Sequence, residues 1–183
     1  MNGAETGIRR VAAADEALVG QLADVLMDCV EGGASVSFMA PLARAQALAF
    51  WRRVVADVAS GERALLVAED AQGVCGTVQL VLGQPPNQPH RADLAKMLVH
   101  RRARRRGLGT SLMRAAERTA LSCGKTLLVL DTVTGSDAAR LYGRLGWVAV
   151  GEIPRYALLP RGGLVGTTVF FRDLSASPAG VQV

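Results

Sequence analysis

Five arginines crowd into the seven residues from His100 to Arg106, and Gly107 and Gly109 follow directly. The run before them, Ala92 to Val99, reads as a strand. Gly107 to Ser122 reads as a helix, with Leu108, Leu112, Ala115, Ala116 and Thr119 on one face. A strand, a basic turn and a glycine-led helix start make a phosphate cradle. Consecutive backbone N–H groups at such a turn point into one concavity, and the helix N-terminus adds partial positive charge. Glycine lets a ligand approach the backbone with no Cβ in the way, and arginine adds charge-assisted hydrogen bonds. A pyrophosphate suits this chemistry. A Rossmann turn needs three spaced glycines and a later acidic ribose ligand, and a Walker loop needs Gly-Lys followed by Ser or Thr; the segment around Gly107 fits neither.

Further along, Thr126 to Asp131 is a near-continuous apolar run, as in a strand buried on both faces. Asp131 at its end faces the crevice where ligands of such sheets lie. Ser136 is positioned as the N-cap of a short helix, Asp137 to Leu145, with Gly146 just past it and Tyr142 on it. Asp93 opens the neighbouring strand.

These residues need a scaffold, and the rest of the chain supplies its elements. Ile8 to Ala12 is a short strand. A helix runs from Asp15 to Val30, with Leu18, Leu22, Val25, Leu26 and Cys29 on one face and Gly32-Gly33 ending it. A second helix opens at Pro41 and runs to Ala59. Ala64 to Ala68 and Val74 to Leu82 form a hairpin around residues 70–73. The proline-rich stretch 84–89 is a loop. Trp147 to Gly151 and Val165 to Phe171 are the last strands, with a loop over 153–163 that carries Pro154 and Pro160. The sum is an α/β (α+β) architecture, a mixed sheet of six to seven strands with helices on both faces. Residues 1–174 read as one domain, and 175–183 as a loose tail.

Composition narrows the function. Of 183 residues half are hydrophobic, enough for one sizeable core. No apolar run reaches the ~20 residues of a membrane-crossing helix, and Met1 to Val11 lacks a signal-peptide core, so the expected location is cytoplasmic. Three scattered cysteines and two isolated histidines offer neither a disulfide framework nor a metal site. The net charge of +5 calls for a polyanionic partner. No aromatic residues interleave with the arginines, which favours a phosphorylated cofactor over nucleic acid.

Arg104-Arg-Arg-Gly107-Leu-Gly109 resembles the coenzyme A signature of the GNAT superfamily: Gln or Arg, two residues, Gly, one residue, Gly or Ala. The segment Ala138-Ala-Arg-Leu-Tyr142-Gly-Arg-Leu-Gly146-Trp147 resembles its second signature. A narrower likeness, to the tabtoxin-resistance acetyltransferases, lies in residues 32–39, 91–99 and 130–136. The resemblance implies a GNAT fold and an acetyl-coenzyme A-dependent N-acetyltransferase for a small amino acid-like amine, possible partners being that amine and a second copy of the chain. Acetylation of another metabolite, a polyamine or a protein N-terminus are the alternatives. It implies that the backbone of Met97, Leu98 and Val99 holds the pantetheine arm, and that Arg104, Arg105, Arg106, Gly107, Leu108, Gly109 and Thr110 bind the pyrophosphate. Tyr142 would face the sulfur and protonate the departing thiolate. Asp131 and Asp93 would line a net negative acceptor pocket, beneath a loop formed by residues 32–39. Ser136 replaces a common Asn and would cap its helix or reach the cofactor.

Overall fold

The computed structural model describes residues 6–175. Seven strands form one sheet in the order β1-β2-β3-β4-β5-β7-β6. They are β1 (Gly7–Arg10), β2 (Arg63–Asp70), β3 (Gly73–Val81), β4 (Arg91–Val99), β5 (Leu127–Val133), β6 (Val148–Leu158) and β7 (Leu164–Asp173). All neighbouring pairs are antiparallel except β4 and β5, which are parallel. The helices are α1 (Glu16–Glu31), α2 (Arg44–Ala59), α3 (Leu108–Ser122) and α4 (Asp137–Arg144). None is long and apolar enough to cross a membrane.

Strand alternation splits the core in two. Leu65 and Val67 of β2 pack with α1 and α2, through Leu22, Leu26 and Trp51. Leu66 and Ala68 of the same strand point the other way, toward Leu112 and Met113 of α3 and Tyr142 of α4. The helices therefore lie on both faces.

Local chemistry sets the helix ends. Asp15 caps α1 by accepting from the Leu18 N–H at 2.8 Å. Gly107 caps α3 in the left-handed region at φ 76°, and the Ser136 hydroxyl caps α4 by accepting from the Ala139 N–H at 3.1 Å. At the far end of α4, Glu117 of α3 accepts from the Trp147 indole at 3.1 Å and from Arg114 at 2.9 Å. A buried carboxylate with both partners satisfied fixes the α4–β6 junction against α3, and with it Tyr142.

Three sequence expectations change. First, α2 begins at Arg44, not Pro41; Leu42 is buried in the approach to the helix and Ala43 is an extended N-cap with no side-chain bond. Second, β5 does not stop at Asp131 but runs to Val133, because Thr132 and Val133 pair with Thr168 and Thr167 of β7. Third, β6 continues through Pro154 to Leu158, where a loop was expected. β6 is an edge strand, so the missing proline N–H costs no ladder bond. The register shifts between Ile153 and Ala157, and Arg155 takes φ 54°, as in a bulge. Apart from Ser175, the expected tail 175–183 lies outside the described residues.

Candidate active site

The basic turn after β4 is held in shape by its own arginines. His100 Nδ1 accepts from the Arg102 N–H at 3.2 Å and opens a single 3₁₀ turn over Arg101–Ala103. Asp28 of α1 accepts from the Arg101 backbone at 2.8 Å and from its guanidinium at 2.6 Å. Burial pushes the Asp28 carboxyl up, but these bonds and nearby His100 outweigh it and hold it below the usual range. Arg102 pairs with Asp70 and donates to the Gly73 and Val74 carbonyls. Arg104 donates to the Val99 carbonyl at 3.0 Å and to Cys29 Sγ at 3.9 Å. Arg101, Arg102 and Arg104 are thus engaged in shaping the loop. Arg105 and Arg106 have no side-chain partner among the described residues and are the cations free for a phosphate, with Arg104 engaged elsewhere.

Arg105 at φ 64° and Gly107 at φ 76° put two left-handed positions one residue apart. Successive N–H groups in such a turn form an anion-binding concavity. The first helical bond of α3 runs from Ser111 N–H to the Gly107 carbonyl at 3.1 Å. Among the described residues the six N–H groups from Arg105 to Thr110 find no protein acceptor; the last four are the orphan donors of a helix start, and the first two belong to the turn before it. A Cβ on Gly107 would meet nothing within 4 Å, so the space above it is open. A Cβ on Gly109 would lie 3.0 Å from Leu141 Cδ2. Gly107 therefore leaves room for a ligand, whereas Gly109 is small because α4 packs against α3; its N–H remains one of the free six.

Below the cradle the sheet opens. β4 and β5 pair only from Arg91–Asp93 to Leu127–Val129. Beyond that, among the described residues, β5 pairs with β7 alone, and the edge of β4 from Leu94 to Val99 has no partner on that side. Met97 and Leu98 lie on this unpaired edge, where an extended ligand can add as a strand does. The Val99 carbonyl is already taken by Arg104 and by the Cys29 thiol at 3.5 Å.

Tyr142 is 5% exposed, with its ring 6.0 Å from Trp147 and 5.9 Å from Phe170. Burial, and then the charge of Asp131, raise its phenol well above the usual range. Asp131 accepts from the Thr167 hydroxyl at 2.9 Å. The Tyr142 ring packs against Phe170, the β7 partner of Leu130, so the candidate acid lies next to the part of β5 that carries Asp131. Asp93 sits apart, where β4 and β5 are still paired; it is paired with Arg91 and accepts from Gln84 at 3.1 Å. Ser136 is committed to its cap and lies 3.5 Å from the Thr132 hydroxyl.

Each of the two carboxylates expected to make a net negative pocket has a cation in its surroundings: Arg91 pairs with Asp93, and Lys96 of β4 lies within electrostatic range of Asp131. Sequence reasoning passed over Lys96, although a lysine between Ala95 and Met97 in an otherwise apolar stretch is a visible signal.

A sheet that splays beside a row of free N–H groups suits an extended ligand with a phosphate at one end. Residues 21–147 match the Acetyltransferase (GNAT) family, and the chain belongs to it. Its cofactor is acetyl-coenzyme A. The yncA protein of Salmonella typhimurium, solved with its cofactor acetyl-CoA, superposes at TM-score 0.76 with 21% identity, over 96% of this chain and 98% of that one. A ribosomal-protein-alanine N-acetyltransferase from Brucella melitensis gives 0.77 and 20%, over 92% and 99%. A GCN5-related N-acetyltransferase from Kribbella flavida gives 0.74 and 26%, over 92% and 98%. The open cradle at Gly107 and its six unpaired N–H groups fit the cofactor's pyrophosphate.

Proposed function

We propose that this chain transfers the acetyl group of acetyl-coenzyme A to the amine of a small amino acid-like molecule. The observation that supports this reading is the splay between β4 and β5, with Asp131 two residues beyond the last pair, Asp93–Val129, and the Tyr142 ring packed on Phe170, the partner of Leu130. Acetyl-coenzyme A supplies a thioester carbonyl for the amine to attack and a thiolate to leave. Arg105, Arg106 and the free N–H groups through Thr110 bind its pyrophosphate, and the β4 edge at Met97 and Leu98 aligns the arm. Asp131 holds the acceptor ammonium and, directly or through water, takes its proton before attack. Tyr142 gives its proton to the sulfur. Asp93 and Ser136 act indirectly, Asp93 by ordering the strand base with Arg91 and Ser136 by fixing α4.

The likeness to the tabtoxin-resistance enzymes makes tabtoxinine-β-lactam or a close analogue the first acceptor to try, and a role in toxin or antibiotic resistance follows from it. A free-thiol release assay across amino acids, β-lactam analogues and aminoglycosides tests the reading; activity on none of these amines would sink it. Asp131→Asn keeps the shape of the site and an acceptor for Thr167 but removes the charge. The acceptor KM should rise about tenfold, equivalent to about 1.4 kcal/mol, with turnover reduced and the cofactor KM nearly constant. Wild-type rates should rise with pH as the acceptor loses its proton. An Asp131→Asn variant with wild-type kinetics across that pH series would remove Asp131 from the mechanism.

Two features support the remaining parts of the proposal. Cys29, Cys75 and Cys123 are all free, which suits a reducing cytoplasm. The edge strand β6 exposes Val148, Val150, Ile153, Tyr156 and Leu158, a surface suited to pairing with a second copy. Sedimentation velocity at micromolar concentration should give a dimer; a monomer throughout would exclude that assembly. Neither nucleic acid nor a membrane is a proposed partner, since three of the five clustered arginines are engaged within the chain.

A further inference from the structure

Only four non-glycine residues among those described have left-handed backbone: Ser37, Lys96, Arg105 and Arg155. Such positions are strained and gather at functional sites. Arg105 shapes the phosphate cradle, and Arg155 belongs to the β6 bulge. The other two touch each other: Lys96 Nζ donates to Ser37 Oγ at 3.3 Å. Ser37 lies on the connection between α1 and α2, and Lys96 lies on β4.

The position of Lys96 comes from an irregularity in β4. Thr77 pairs with Leu98 but Gln79 pairs with Ala95, so β4 carries one extra residue there. Lys96, at φ 49°, falls within that bulge. Bulges re-aim side chains next to active sites. This one turns a lysine toward the α1–α2 side, with its Nζ 5.8 Å from the centre of the Phe50 ring.

The ammonium is poorly compensated. It has three donors, and its one hydrogen-bond partner among the described residues is a long contact to a neutral hydroxyl. Among the described residues no carboxylate lies in ion-pair range of it. Burial, and then the charge of Arg63, push its pKa below the usual lysine range, while Asp131 acts to raise it. Arg63 itself is engaged by Asp57 at 2.7 Å and by Gln79 at 2.9 Å. Gln79 is fully buried, and its Nε2 is a donor with no partner. A partly buried cation with unused donors of its own calls for an anion.

We propose that Lys96, with Ser37, is the carboxylate-binding pair of the acceptor site, and that the acceptor is an α-amino acid or a derivative retaining its free carboxylate. The proposal rests on the reading of Asp131 as the ammonium-binding group. Lys96 and Asp131 carry opposite charges and sit on the two strands that splay apart, three and two residues beyond the last pair, Asp93–Val129, without an ion pair between them among the described residues. An α-amino acid carries its ammonium and carboxylate on one carbon and matches that arrangement. A polyamine meets Lys96 with like charge, and a protein N-terminus has no carboxylate next to its amine.

The test compares the common amino acids with their α-carboxamides, which keep the amine and lose the negative charge. Binding is measured calorimetrically on the protein loaded with coenzyme A, and turnover by thiol release, for wild type, Lys96→Met and Lys96→Arg. Wild type should favour the acid over its amide by at least about tenfold in the best pair. Lys96→Met should bring that ratio close to one by raising the acid's KM, and Lys96→Arg should restore part of it. Equal handling of acid and amide by wild type in every pair overturns the proposal. So does a Lys96→Met variant that keeps the wild-type ratio. An acid that binds through Lys96 but is never acetylated upholds the carboxylate site and defeats the amine-transfer reading. Acetylation of amines with no preference for the acid does the reverse.

Discussion

Gly107→Val should weaken acetyl-coenzyme A binding by about 10²-fold or more, the largest effect expected of any single substitution in this chain. Two causes add. Gly107 has φ 76°, where a β-branched residue is strained, so the turn that aims the N–H groups distorts. The new side chain also rises into the open space above the backbone, where the pyrophosphate must approach. The measurement is the difference in stability with and without cofactor. At 100 times the wild-type Kd, bound ligand contributes about 2.7 kcal/mol; a 100-fold weaker Kd leaves about 0.4 kcal/mol at the same concentration. Because backbone strain also lowers the ligand-free stability, only the ligand-induced difference counts. A variant with the wild-type difference would mean that the cradle lies elsewhere.

Tyr142→Phe should lower turnover by about 10²-fold, the low end for general acid catalysis, because a thiolate is already a fair leaving group. Cofactor affinity should change little, since the ring contacts to Trp147 and Phe170 survive the loss of the hydroxyl. The raised phenol pKa sets the pH behaviour. Burial and the Asp131 charge both disfavour the phenolate, so Tyr142 stays protonated beyond the ordinary value of 10.0. Wild type should therefore show no loss of rate from Tyr142 ionisation below about pH 10. The stability consequence has a definite sign. Below about pH 10 the phenol is neutral in both folded and unfolded chains, and its contribution is fully present. Above that the unfolded chain ionises first, and stability falls as pH rises toward the folded pKa. Tyr142→Phe should remove that part of the alkaline decline. Single-turnover rates equal to wild type would exclude Tyr142 as the acid.

Much of the scaffold was legible because it rests on short-range rules. The face Leu18, Leu22, Val25, Leu26 and Cys29 follows from helical spacing, and all five are buried. Asp15 and Ser136 were readable as cap positions because a cap joins residues three apart. The glycine-led start of α3 was readable for the same reason. Pro154 misled, since its effect depends on whether its strand is central or at an edge, and no local pattern reveals that.

The sequence by itself determined most element types and the glycine-led start of α3 after a basic turn, because spacing of a few residues along a helix or strand is enough to express each. Only the tertiary structure decided which arginines remain free, since Asp28, Asp70 and the Val99 carbonyl that engage Arg101, Arg102 and Arg104 come from other elements. It also decided the charge around Asp93 and Lys96. Arg91 neutralises Asp93, and the β4 bulge turns Lys96 toward Ser37 and Phe50. Both outcomes depend on contacts between distant segments and on a strand register, which pairing across the sheet sets and residue order alone does not express.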